Sequence, residues 1–142
     1  MNVSSSYKPA AGVVVLRHMD GNWNVLCLKT RAGDLDLTKG IIDPGEDPFE
    51  TAIREAKEEA NISDLAFPFG KDVVETDACV MYIGVTNQEP EILSNPHTGI
   101  KEHAGYVWMP ILEAVNSNKI KKFLQPAVER AFELTLKDKQ RS

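Results

Sequence analysis

Three glutamates, Glu55, Glu58 and Glu59, stand at i, i+3 and i+4 within the run Arg54-Glu55-Ala56-Lys57-Glu58-Glu59. On a helix this spacing gathers them into a sector of about 100° on one face. Like charges so placed repel by roughly 0.2–0.5 kcal/mol per pair, and acids toward the middle and end of a helix also oppose its dipole. Two settings accommodate such a face. A solvated surface helix tolerates it, with Arg54 paired to Glu58 and Lys57 close by. A divalent-metal site uses it, because hard cations such as Mg2+ and Mn2+ take carboxylate oxygens, keep several waters and bridge to substrate phosphates. Such ions polarise a phosphoryl group and lower the pKa of an attacking water. The helix by itself does not choose between the two.

The loop before it does. Lys39-Gly40-Ile41-Ile42-Asp43-Pro44-Gly45-Glu46 sets a glycine six residues ahead of a glutamate, and Arg54 follows eight residues after that. A glycine lets its backbone come close to an ion or a phosphate, and Glu46 brings one more carboxylate toward the same helix. An ordinary Pro-Gly turn would leave this coupled spacing unexplained.

Gly40, Glu46 and the run Arg54 to Ile62 together resemble the signature of the Nudix hydrolases. The one departure is Asn61, where that family has glycine. Asn is the next-best residue for a left-handed helix exit, so the local geometry is expected to survive. The resemblance implies an α/β fold, a Nudix-type α/β/α sandwich with a mixed β-sheet between helices. It implies Glu55, Glu58, Glu59 and the Gly40 carbonyl as metal ligands for Mg2+, with Mn2+ as a possible substitute. Arg54 would orient the catalytic glutamates by salt bridging, and Glu46 would support them. The implied reaction is attack of water on phosphorus in a nucleoside diphosphate linked to another group.

Substrate choice rests on residues outside the signature. Lys39 before Gly40 is similar to the Pro-Lys-Gly entry of the diadenosine tetraphosphate and diphosphoinositol phosphate branch, although Thr38 replaces the proline. Its ammonium would neutralise a phosphate oxygen. Glu102-His103, followed by Tyr106 and Trp108, is similar to a late-strand pattern of the diadenosine tetraphosphate (Ap4A) hydrolases. Glu102 would act as metal ligand or general base, and His103 would contact phosphate. Tyr82 is a candidate to stack on a base, with core packing as the competing role. His18 and His97 read as solvated. The Ser-Gln-Pro-Trp motif of the NADH-cleaving branch is absent from the sequence. The expectation is a dinucleoside polyphosphate hydrolase. ADP-ribose or a nucleoside triphosphate as substrate, a nucleotide-binding module without turnover, and a structural protein with a solvated acidic helix are the alternatives.

These residues must be positioned by a single domain. The chain has 142 residues, 42% hydrophobic and 26% charged, enough to bury a core without staples. A flexible stretch over 1–7 and one domain over 8–142 are expected. Ala10–Arg17 and Asn24–Thr30 flank the turn Met19-Asp20-Gly21-Asn22 and read as an antiparallel pair. Residues 31–45 read as irregular, since Gly33, Gly40, Pro44 and Gly45 interrupt any long element. Asp47, Pro48 and Glu50 then give a capping box with proline at the first helical position. Phe49, Ala52, Ile53, Ala56 and Ala60 recur at helical steps. Strands are expected within Lys71–Thr86, at Glu89–Leu93 and at His103–Met109. A short helix follows Pro110, and a final amphipathic helix spans Pro126–Leu136 with Ala127, Ala131, Phe132 and Leu134 inward.

The net charge of −5 argues against nucleic acid as a partner, leaving a small nucleotide substrate held through local cations or metal. Cys27 and Cys79 sit in apolar runs and read as buried free thiols, which suits a reducing cytoplasm. No segment has the length of a membrane span, and MNVSSSYKPA lacks a signal-peptide pattern. Monomer and homodimer both remain open, since sheet edges can pair.

Overall fold

The computed structural model describes residues 9–70 and 73–141, the last four of them as backbone only. The stretch expected to be flexible, 1–7, and the first two residues of the expected Lys71–Thr86 region lie outside the described residues.

The expected hairpin forms from β1 (Ala10–Met19) and β2 (Asn22–Thr30). Its two-residue turn is Asp20-Gly21, with φ of 53° and 79°. Two successive positive φ values give the turn twist that matches paired strands, and Asp-Gly is a favoured sequence for it. The region expected to be irregular instead holds two short strands, β3 (Leu35–Asp36) and β4 (Thr38–Ile41). The first half of β1 pairs antiparallel with β4, Ala10 opposite Ile41 and Val13 opposite Thr38. Its second half pairs with β2. Four residues containing a glycine carry almost no local strand signal, so β4 exists because β1 offers it a partner.

Beyond the signature helix come β5 (Val73–Glu75), β6 (Cys79–Val85) and β7 (His103–Pro110). Strand β6 lies parallel to β1 from Ala10–Cys79 to Leu16–Val85, with β5 outside it. Strand β7 pairs antiparallel with the other edge of β2. Glu89–Leu93 is not a strand, contrary to expectation. The Glu91 N–H goes to the Ala60 carbonyl at 2.9 Å, and Ile92 packs into the core beneath the signature helix. That backbone donor is satisfied by a helix end rather than by a sheet.

Helix α1 (Pro48–Ala60) starts as the sequence indicates. The Asp47 carboxylate accepts from the N–H groups of Phe49 and Glu50 at 2.8 and 3.2 Å, and the Glu50 carboxylate accepts from the Asp47 N–H at 3.0 Å. Asn61 ends it in the left-handed region, φ 56° and ψ 31°. Its buried face is Thr51, Ala52, Ala56 and Ala60. Small residues let the helix lie close to the sheet, but a buried methyl contributes only about 0.8 kcal/mol. Phe49 in its first turn and Ile62 just beyond its end add larger apolar groups to the same core.

On the opposite face, α2 (Ile111–Val115) and α3 (Gln125–Arg141) cover Val14, Leu16, Val25, Cys27, Met81 and Ile83. Ala127 and Ala131 are fully buried as expected, Phe132 and Leu134 partly, and Val128 joins them. The result is a mixed sheet between helices. Both cysteines are buried free thiols. Burial pushes Cys27 up to about 12 and raises Cys79 as well, which leaves little reactive thiolate. Among the described residues, no helix is long and apolar enough to cross a membrane.

Candidate active site

The loop between β4 and α1 is stitched to the helix by Glu46. Its Oε1 accepts from the Asp43 N–H at 3.1 Å and from Thr51 Oγ1 at 2.7 Å. Both Glu46 oxygens receive Arg54, at 2.7 Å from Nε and 3.0 Å from Nη2. Arg54 Nη1 donates to Glu55 and Glu58, each at 2.9 Å, and Nη2 also reaches the Ile41 carbonyl at 3.1 Å. Asp43 Oδ2 lies 3.4 Å away. All five N–H groups of the guanidinium thus have acceptors, and one planar group fixes the orientation of two helix carboxylates and the loop. Hydrogen bonds from Arg54 and Thr51 hold Glu46 down at about 2, while Glu46 and Glu58 push Arg54 above its ordinary value.

The acids beneath this network are in the opposite condition. Burial, with Glu58 and Glu102 adding repulsion, raises Glu55 to about 7 against the pull of Arg54. Burial likewise lifts Glu59 to about 9, with Glu55 and Asp36 adding to it, although Glu59 accepts the Lys39 N–H at 3.0 Å. Gly40 stands directly against the Glu55 carboxylate, and a Cβ at position 40 would run into it. The glycine is needed there for close approach, which explains its fixed distance from the helix.

These groups line a cleft of about 460 Å³. It brings together Lys39, Gly40, Arg54, Glu55, Glu58 and Glu59 with Glu102 and His103 from the start of β7. Glu102 accepts a hydrogen bond from Asn95. His103 is buried, its Nε2 3.8 Å from Asp36 Oδ2, and Lys39 Nζ lies 3.1 Å from the same oxygen. Tyr82 does not line this cleft. Its ring is 7% exposed and packs edge-on to Phe49 at 5.0 Å, so the stacking role is corrected to core packing.

Two polar cleft residues, Asp36 and Asn95, escaped the sequence reading, and a third, His97, was read only as solvated. Asp36 lies in a Leu-Asp-Leu stretch that resembles nothing functional, and Asn95 and His97 lie in a loop whose turn residues suggest only a turn. His97 is exposed, as expected, yet it faces the cleft.

Among the described residues, no three acidic, His or Cys side chains close into a metal cage. The donor set still fits a hard divalent cation. It is all oxygen, and burial shifts two of its acids, Glu55 and Glu59, toward their neutral form, the condition that a bound cation would reverse.

Comparison with known proteins matches residues 6–131 to the NUDIX domain. The bis(5'-nucleosyl)-tetraphosphatase (asymmetrical) of Caenorhabditis elegans is 32% identical over 116 residues, 75% of this chain and 81% of its own. A crystal structure of a C. elegans Ap4A hydrolase binary complex superposes with a TM-score of 0.68 at 25% identity, covering 91% of this chain and 97% of that one. The NUDIX domain of Shewanella oneidensis NrtR, complexed with ADP ribose, gives a TM-score of 0.64 at 19% identity, over 92% and 94%. At that identity the likeness is one of fold.

Proposed function

The chain belongs to the Nudix family and is a hydrolase of acid anhydrides, and from that premise we propose that its substrate is a dinucleoside polyphosphate of the Ap4A type. One observation carries this reading. Lys39 and the pair Glu102-His103, all outside the signature helix, line the same cleft as Glu55, Glu58 and Glu59. A long anionic chain needs cations beyond the metal cluster, and Lys39 and His103 stand in the cleft where they can meet it. The kinship with an asymmetrical tetraphosphatase supports the same choice.

In this reading Glu55, Glu58, Glu59 and the Gly40 carbonyl would hold Mg2+, for which Mn2+ could substitute, and the ion would supply polarisation of phosphoryl oxygens and a more acidic water. The protein's own groups do the rest. Arg54 keeps Glu55 and Glu58 oriented through the contacts that also tie it to Glu46. Lys39 and His103 meet the phosphate oxygens. Glu102, or a helix glutamate, takes the proton of the attacking water as phosphorus is attacked and the phosphoanhydride bond breaks.

The test is a panel of Ap4A, ADP-ribose, NADH and nucleoside triphosphates, assayed with Mg2+ and with Mn2+. Ap4A is expected to give the highest kcat/KM. A preference for ADP-ribose would overturn the substrate assignment, and tight calorimetric binding of Ap4A without any product would favour a binding module instead.

A further inference from the structure

Asp36, which neither the signature nor the reading above uses, is the hub of a charge cluster. It sits on the two-residue strand β3 with only 8% of its side chain exposed. Oδ1 accepts from the Leu37 N–H at 2.9 Å. Oδ2 faces three donors: Lys39 Nζ at 3.1 Å, Lys121 Nζ at 3.7 Å and His103 Nε2 at 3.8 Å. Lys121 is brought there by backbone pairing across Leu35, whose N–H goes to the Lys119 carbonyl at 2.8 Å and whose carbonyl takes the Lys121 N–H at 3.0 Å.

A lysine side chain has a flexible four-carbon stem, and fixing it in one place needs partners. Lys39 has two: Asp36, and the Phe123 ring, 5.8 Å from its ammonium. The cluster holds one carboxylate and two ammonium ions. One positive charge is left over from those three, so Asp36 can fix Lys39 without cancelling the attraction for an anion. Asp36, Lys39 and His103 all face the cleft rather than the core interior, which a purely structural ion pair would not require.

We infer that Asp36 is a positioning residue, whose carboxylate holds the Lys39 ammonium in the cleft wall where it meets the phosphates of the substrate. The inference rests on the reading of Lys39 as a substrate-binding group. Without Asp36, two lysines that share one oxygen repel each other, and Lys39 loses its anchor.

The experiment is a double-mutant cycle of Asp36→Asn and Lys39→Met. Steady-state kinetics are measured on Ap4A with saturating Mg2+, or on whichever nucleotide of the panel is turned over fastest. Asp36→Asn keeps the side chain's shape and the acceptor for Leu37. It is expected to raise KM roughly tenfold, as for a lost charge-assisted hydrogen bond, with kcat unchanged. The double variant is expected to match Lys39→Met alone, because Asp36 acts only through Lys39. A normal KM in Asp36→Asn, or a loss additive to that of Lys39→Met, overturns the inference while leaving Lys39 as a binding group. A normal KM in Lys39→Met overturns the reading of Lys39 and the inference with it. Should Asp36→Asn fail to fold, Asp36→Asn with Lys121→Met restores the single positive charge left over from those three while still leaving Lys39 unanchored. The same rise in KM is expected there, and its absence is equally fatal.

Discussion

Helix α1 carries Arg54 with Glu55 and Glu58, and helix α3 carries Arg130 with Glu129 and Glu133. The residue types and helical spacings are nearly the same. In α3, Arg130 Nη1 reaches Glu133 Oε1 at 3.3 Å, and Glu133 is 61% exposed. That is a surface pair, of the kind that contributes about 0–1 kcal/mol. In α1, the loop from Ile41 to Glu46 folds back over Arg54 and gives it a bidentate carboxylate and a backbone carbonyl. The difference lies in what covers the helix. The Glu55 and Glu58 side chains are 13% and 29% exposed against 61% for Glu133, and an arginine among glutamates becomes a site when a second segment shields the acids behind it.

The comparison can be broken most directly by removing one glutamate from each helix. Glu58→Gln is expected to lower kcat by roughly a hundred- to a thousandfold, as for loss of a transition-state electrostatic group, while Glu133→Gln leaves kcat unchanged. Equal, small effects in both would make α1 another solvated face. Altering the cover rather than the helix comes next. Gly40→Ala drives a Cβ into the Glu55 carboxylate, whose flexible stem can move aside, so the protein should fold and lose about ten- to a hundredfold in activity. Circular dichroism and kcat measured on the same preparation separate these outcomes.

The smallest effect concerns protons. In the metal-free protein Glu55 and Glu59 hold theirs to about 7 and about 9, against an ordinary value of 4.5. Above pH 4.5 the unfolded chain has released protons that the folded chain keeps, so the unfolded state binds fewer. Stability must then fall as pH rises from about 4.5 toward 9. Thermal unfolding in a chelator is expected to show Tm declining over that window, and Mg2+ should flatten the decline. A Tm independent of pH in the chelator would mean that α1's acids are as solvated as those of α3.

What the sequence discloses follows from how local each feature is. The start of α1 was readable to the residue because Asp47, Pro48 and Glu50 act on backbone groups within one turn. Asn61 was readable because its left-handed backbone is its own. Strands β3 and β4 were not, since their residues have no strand period and depend on partners far along the chain. Glu89–Leu93 has the apolar content of a strand but gives its backbone to the end of α1. Asp36 was invisible for the same reason as β4: nothing nearby in sequence announces that Lys121 and His103 will converge on it. Tyr82 shows the reverse case, a residue type suited both to stacking and to core packing, which the sheet's alternation packs against the core.

Strand β1 is hydrogen-bonded along one edge to β2 and β4 and along the other to β6. A polypeptide ending before Cys79 would contain Gly40, Glu46, Arg54 and every glutamate of α1, yet Ala10 to Leu16 would present a bare strand edge to solvent. Such an edge invites self-association rather than folding. The stretch that reads as a self-contained catalytic cassette is therefore not excisable, and grafting it elsewhere would mean transplanting the sheet that closes behind it.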